Sequence, residues 1–334
     1  MVAHESLSDR EGEVLPLLVA ADSVDKEHGS VVASELKPHA LLGLTCVALS
    51  AVCFSVMSTL IKYATYSMTS MEAAFWRSAG ALVLNYTCIV HQGLSLKVQP
   101  EKRKTLFYRS LAGFLSVVFE FYAMSQMVLA DASVLIFSSP VITFLFGALL
   151  LREKVDPPSF LCAVLSFGGL VCVVRPGFLF GYDHATADTD GSWIAITSAL
   201  IGAIAQAFVY VAVRQLQGIN LHAIIHYFML FSVVSSVSYI AMIERVFVVP
   251  DTYELWAAVL GTGLFTFFGQ VLMTKGFQLE NAGVASVMRY LDVVCVFIWD
   301  SVFLHEQINH WSVIGAVIIC SCASIIALRK AKVL

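Results

Sequence analysis

The chain has 334 residues, a net charge of −4, hydrophobic residues at 58% and charged residues at only 13%. With a mean hydropathy of +0.81, this balance excludes an ordinary soluble domain and specifies an integral membrane protein embedded in a lipid bilayer. It carries no basic footprint for nucleic acid.

Residues 1–38 form a polar, acidic tail in which Glu5, Asp9, Glu11 and Glu13 are followed by Asp22, Asp25 and Glu27. Such a segment buries too little apolar surface to order itself and reads as disordered. It lacks a basic n-region with a short apolar core, so the first spanning segment is expected to do the targeting. Glu13, Leu17 and Leu18 have the spacing of an acidic dileucine signal that a sorting adaptor would hold. An inert tail is the competing reading.

Apolar runs matched to bilayer thickness predict ten helices, at about 39–62, 72–92, 106–127, 132–151, 158–175, 192–213, 222–243, 254–275, 282–303 and 311–328. The basic loops Lys97, Lys102, Arg103, Lys104 and Arg152, Lys154, and the terminal Arg329, Lys330, Lys332, place one face and both termini in the cytoplasm. The acidic stretch 181–191 then falls on the other side. Asn85 opens a glycosylation sequon inside the second segment, out of a glycosyltransferase's reach. All eight cysteines lie in apolar runs without metal-ligand spacing and read as small hydrophobes, so no metal or cofactor is expected.

The fourth segment is interrupted by Ser138, Ser139 and Pro140. A proline inside a spanning helix frees a carbonyl that hydrocarbon does not tolerate, so Pro140 is read as a kink whose hydroxyl neighbours face protein or water. Ser139, Thr143 and Gly147 form a small-residue stripe suited to a cavity wall or to a packing seam.

Setting Glu153 against Glu306 shifts the chain by 153 residues and superimposes Ala132, Ser133, Val134 on Ala285, Ser286, Val287. Val141, Phe144 and Leu151 then meet Val294, Phe297 and Leu304 without gaps. Two halves of five spans, an odd number, enter the membrane in opposite senses. The expected organisation is a tail over 1–38, a first repeat over 39–176, an acidic connection over 177–191, a second repeat over 192–329 and a basic end over 330–334. The fold class is all-α: about ten transmembrane helices in two inverted five-helix repeats.

Ionisable groups inside such helices are costly and mark candidate function. Arg289, Asp292 and Asp300 lie within about 80° on the ninth segment, and Arg289 and Asp292 are spaced to pair. A structural ion pair and a substrate-binding or gating charge are both consistent with this. Asp292 is also the counterpart of Ser139 at the 153-residue shift. On the third segment Arg109, Gly113, Ser116 and Glu120 share a face, and Arg77 on the second stands ready to bind an anion or to pair with Glu120 or Glu72. Gln206 and Tyr210 end a polar stripe on the sixth segment, and Gln270 precedes Lys275 on the eighth. The substrate-path candidates are therefore Arg77, Arg109, Glu120, Ser138, Ser139, Gln206, Tyr210, Gln270, Lys275, Arg289, Tyr290 and Asp292. Glu72, Glu120, Asp292 and His226 are the candidates for proton coupling.

The stretches LADASVLIFSSPV (129–141), VVRPGFLFG (173–181), GQVLMTKGFQLENAG (269–283) and MRYLDVV (288–294) resemble the EamA-type drug/metabolite transporters, and within them the G branch of solute carrier family 35. The resemblance implies a central cavity between two inverted repeats and transport of a small solute by alternating access. The wider superfamily carries nucleotide sugars, amino acids and organic acids, so it implies no cargo.

No ATP-binding GxxxxGK[ST] occurs, so a carrier would draw on a gradient, by exchange or proton coupling. The arginines favour an organic anion; a zwitterion or a cation stays open. The residues lack the spacing of a hydrolase, and His305, Glu306 and His310 read as a solvated turn, so no enzyme is expected. A membrane regulator with a transporter fold and no flux is the alternative. The expected membrane is the plasma membrane or an endomembrane of the ER, Golgi or endolysosomal kind, and small-residue seams leave a homodimer open.

Overall fold

A computed structural model describes residues 41–127, 129–176, 179, 193–303 and 310–332. The tail with Glu13, Leu17 and Leu18, the acidic loop 181–191, and His305 and Glu306 lie outside the described residues.

The chain is a bundle of α-helices: α1 (Leu41–Ala64), α2 (Ser70–Gln92), α3 (Pro100–Gln126), α4 (Leu129–Ile136), α5 (Ser139–Leu150) and α6 (Pro157–Val174) in the first half. The second half holds α7 (Trp193–Gln215), α8 (Leu221–Tyr239, prolonged by a π-turn over Ile240–Glu244), α9 (Tyr253–Leu279), α10 (Ala282–Val287), α11 (Leu291–Phe303) and α12 (His310–Lys332). Among the described residues nine spans are long and apolar enough to cross a membrane. The tenth, α2, has 23 residues, but Glu72, Arg77, Asn85 and His91 lower its hydropathy. Counting α4–α5 and α10–α11 as one span each, both halves contribute five, which inverts the second against the first.

Local chemistry sets the ends. Thr69 and Glu72 form a reciprocal capping box at the start of α2, which stops at Gly93 in the left-handed region (φ 60°). Pro100 sits in the first turn of α3, where its missing N–H costs nothing, and extends that helix six residues ahead of the expected 106. Asp156 caps α6 and Thr252 caps α9.

Two spans expected to be continuous are broken. The first tightens into a turn at Phe137 and Ser138, where Ser138 keeps right-handed dihedrals (φ −69°, ψ −15°), and resumes as α5 at Ser139 with Pro140 in its first turn. The Ser138 hydroxyl donates back to the Leu135 carbonyl (2.6 Å), which also accepts from Ser138 N (3.2 Å). The second interruption is the 3₁₀ turn Met288–Tyr290 between α10 and α11, which the 153-residue shift sets against 135–137. The broken spans touch: α5 packs on α10, and the Ser286 hydroxyl donates to the Pro140 carbonyl (3.1 Å).

Ser139, Thr143 and Gly147 are buried, with Gly147 close to Gly283 of α10, as a packing seam requires. Elsewhere α3 packs along α7, α6 along α12, and α2 against α8 and α9. Lipid supplies little hydrophobic drive between helices, so close backbone approach carries the association. At Gly315 an added Cβ would stand 2.2 Å from the Gly169 carbonyl oxygen, and no other residue fits there. One core unites the halves, from Leu44 and Phe144 to Tyr210, Phe277 and Ile319.

Candidate functional site

The second break sets the end of one short helix and the start of another in the buried middle of the bundle, and the candidate charges gather beside it. Arg289 stands in the 3₁₀ turn, and its Nη2 donates to Asp292 Oδ2 at 2.9 Å, the pair predicted from spacing. Both are buried, 8% and 6% exposed. The guanidinium lies 4.7 Å from the centre of the Phe54 ring on α1, a cation–π contact strengthened by exclusion of water. Gly269 on α9 makes room for that ring, since a Cβ there would meet it at 2.9 Å. Arg289 Nε and Nη1, Asp292 Oδ1 and the Tyr290 hydroxyl are buried without a hydrogen-bond partner among the described residues. Buried polar atoms are rarely left so. Tyr210 on α7 is a further polar neighbour of Arg289, held in a parallel stack on Phe277 at 4.4 Å.

Glu120 and Arg77 complete the charged group. Glu120 lies against Gly202 of α7, where a Cβ would come within 3.0 Å of its Cγ. It is in coulombic reach of Arg77 and Arg289 but forms no ion pair within 4 Å among the described residues. Arg77 touches Met57 Sδ at 3.9 Å, and its buried Nε has no hydrogen-bond partner among the described residues. Seven residues in from Ser70 and six before Gln126, Arg77 and Glu120 lie at matching depths, about 10 Å from the ends of their helices. Beside Glu120, the Ser116 hydroxyl donates to Gln206 Oε1 (3.0 Å). Arg77, Glu120 and Gln206 are half-buried.

Arg109 forms a second, deeper station. It is wholly buried, donates from Nη2 to Gln270 Oε1 (3.1 Å) and stacks 3.9 Å above the Phe228 ring. Its Nε and Nη1 have no partner among the described residues.

Other sequence candidates fall elsewhere. Glu72 accepts from Thr69 N and Val248 N, so both carboxylate oxygens hold backbone at one face and it is not the partner of Arg77. His226 lies against the rings of Tyr86 and Tyr227, and Lys275 is exposed. Ser138 and Ser139 belong to the break and the seam. Asn85 is fully buried and bonded through Nδ2 to the His222 carbonyl (3.0 Å), which agrees with discounting the sequon.

Sequence reasoning missed Phe54 and Phe228, because an aromatic in an apolar run carries no mark of the charge it serves. It also missed a fastening at the basic face. Glu153 accepts from Arg214 Nε (3.0 Å) and from Ala282 N (3.1 Å), while Arg214 Nη1 donates to the Gln278 carbonyl (2.7 Å). Asp156 pairs with Arg329 and Glu280 with Lys330. The repeat alignment had singled out Glu153, which was the available signal.

The chain matches the EamA-like transporter family twice, over residues 41–175 and 193–328. It is 30% identical to solute carrier family 35 member G1 of Homo sapiens, covering 86% of this chain and 80% of that one. It is also 30% identical to the pseudopaline exporter CntI of Pseudomonas aeruginosa, over 87% and 96% of the two chains. A probable transport protein of Saccharomyces cerevisiae is 31% identical over 69% of each. A crystal structure at 17% identity superimposes with a TM-score of 0.74 over 87% of this chain and 98% of the other, a likeness of fold.

Proposed function

This chain belongs to the EamA-like transporter family and is a membrane transporter, not an enzyme; on that premise we propose that it is a secondary active carrier of a small organic anion. The observation that carries the reading is the under-bonded charge group at the break in the second half. Arg77 and Arg289 meet Glu120 and Asp292 there, and N–H groups of both guanidiniums are buried without a hydrogen-bond partner among the described residues. Broken helices at corresponding places in inverted repeats are where carriers hold solutes, because loose backbone ends and costly charges are tolerated only where they line a cavity. A guanidinium offers a planar fork for a carboxylate or phosphate.

Alternating access then requires the halves to part at one face at a time. Glu153, in the first half, grips Arg214 and the start of α10 in the second; opening towards the basic face, which we take as cytoplasmic, breaks this grip. Glu120, with no direct counter-ion among the described residues, is the group best placed to take up a proton as the solute leaves. Exchange of one anion for another is the simpler cycle and needs no such proton.

Uptake of labelled organic acids, amino acids and nucleotide sugars into proteoliposomes tests the reading. Saturable flux of an anionic class is expected. Flux of cations alone would overturn the anion assignment; binding without flux of any class, with and without a pH gradient, would favour a regulator.

A further inference from the structure

Away from the charged centre, the outer faces of α3 and α8 enclose a groove of about 880 Å³ beneath the loop after α2. Its head is basic. Lys97 and Arg103 are exposed at the rim; among the described residues the Lys97 ammonium has no bond and Arg103 uses only Nε, on the Val98 carbonyl (3.2 Å). Neighbouring Lys102 is spent on the Gln215 carbonyl (2.8 Å) and does not line the groove. The Tyr227 hydroxyl donates to the Leu96 carbonyl (3.3 Å), tying the loop down over α8. Below the rim the walls are apolar: Phe107, Leu230, Phe231 and Val234, with Phe107 54% and Val234 57% exposed. From Tyr227 to Val234 the groove runs about 10 Å along α8, from the level of headgroups towards that of acyl chains.

We propose that this groove binds one anionic phospholipid, its phosphate and acidic headgroup on Lys97 and Arg103 and an acyl chain along Phe107, Phe231 and Val234. Three observations select this occupant. The rim is cationic with unspent donors, so the head is an anion. The walls are exposed aromatic and aliphatic side chains of spanning helices, so the rest is a chain that already lies in the bilayer. The volume far exceeds that of a phosphate ion. A basic pocket between helices at the polar boundary recognises acidic headgroups in this way, and the charge order along the groove matches the order of groups along a lipid.

The test uses full-length protein in nanodiscs of mixed phosphatidylcholine and phosphatidylserine, with the lipid that stays bound after extraction counted by native mass spectrometry. Wild type is expected to retain phosphatidylserine in preference to phosphatidylcholine. A basic residue at a membrane surface contributes about fivefold, so Lys97→Gln lowers retention about fivefold and Lys97→Gln with Arg103→Gln by more than tenfold, while Arg152→Gln, at the same face outside the groove, leaves it unchanged. Leu230→Trp, which fills the wall and keeps the rim, also lowers it. Because Arg103 holds the loop through Val98, the Lys97 single variant stands if the double variant misfolds. Equal retention of the two lipids, wild-type retention by Lys97→Gln, or displacement of the lipid by inorganic phosphate would overturn the proposal.

Discussion

The charged centre and the fastening at the basic face contain the same kinds of residue and treat them differently. At the face, Glu153 spends one oxygen on Arg214 and the other on Ala282 N, and Arg214 reaches on to Gln278; both charges are satisfied. At the centre, Arg289 has one bond to Asp292 and an aromatic ring, while Glu120 and Arg77 share only long-range attraction. A fully bonded pair holds a conformation. An under-bonded pair in low dielectric keeps capacity for something else, and the cost of that unspent capacity is why such groups are rare in membrane helices.

The largest expected effect comes from breaking the central pair. Asp292→Ala leaves a buried guanidinium uncompensated and should lower stability by about 3–5 kcal/mol, read as a fall in the melting temperature in detergent. Exchanging the two, Arg289→Asp with Asp292→Arg, should recover most of that stability but not the flux, which separates packing from recognition. Recovery of both would make the pair merely structural.

Next, Glu153→Gln weakens a charge-assisted bond worth roughly 1.5–3 kcal/mol and should raise the population open to the basic face about tenfold or more. Maleimide labelling of a cysteine placed at Gln206, applied from that face, reads this directly. Gly269→Ala pushes a Cβ into Phe54 and should cost about 1–3 kcal/mol through overpacking, with weaker solute binding as Arg289 loses its ring. Ser286→Ala, which removes the hydroxyl bridging the two broken spans, should cost about 0.6 kcal/mol.

The smallest effect concerns pH. The Ser159 hydroxyl, and after it Arg329, hold the Asp156 carboxyl below its ordinary value against a smaller opposing effect of burial. A depressed carboxylate stabilises the fold above its ordinary pKa and loses that contribution as pH falls through the depressed value. Melting of wild type and Asp156→Asn should therefore differ at neutral pH and converge in strong acid.

Much of this architecture was legible in the sequence. Hydropathy located ten spans, with ends displaced where Pro100 and Leu279 carry helices beyond the apolar run. Ser138 and Pro140 announced the first break. The second has no proline, and only the repeat pointed to 288–290, since Met, Arg and Tyr do not interrupt a helix by propensity. The stripe at Ser139, Thr143 and Gly147 was visible as a period, but period alone does not tell a cavity wall from a seam, and α10 fills the space. Arg77, Glu120 and Arg289 lie on three helices, and one sequence cannot say which charges converge. Glu72 read as a possible partner of Arg77 and a proton-coupling candidate because the backbone N–H groups it holds, one of them 176 residues away, leave no mark in the sequence.

The central claim is that the charges at the second break bind the solute. The measurement that tests it most directly is counterflow of the transported anion in proteoliposomes containing wild type, Arg289→Ala or Arg289→Lys, at matched insertion. The account predicts loss of flux in Arg289→Ala and a raised half-saturation concentration in Arg289→Lys, which keeps the charge and loses the fork. Unchanged saturation and rate in both variants would contradict it.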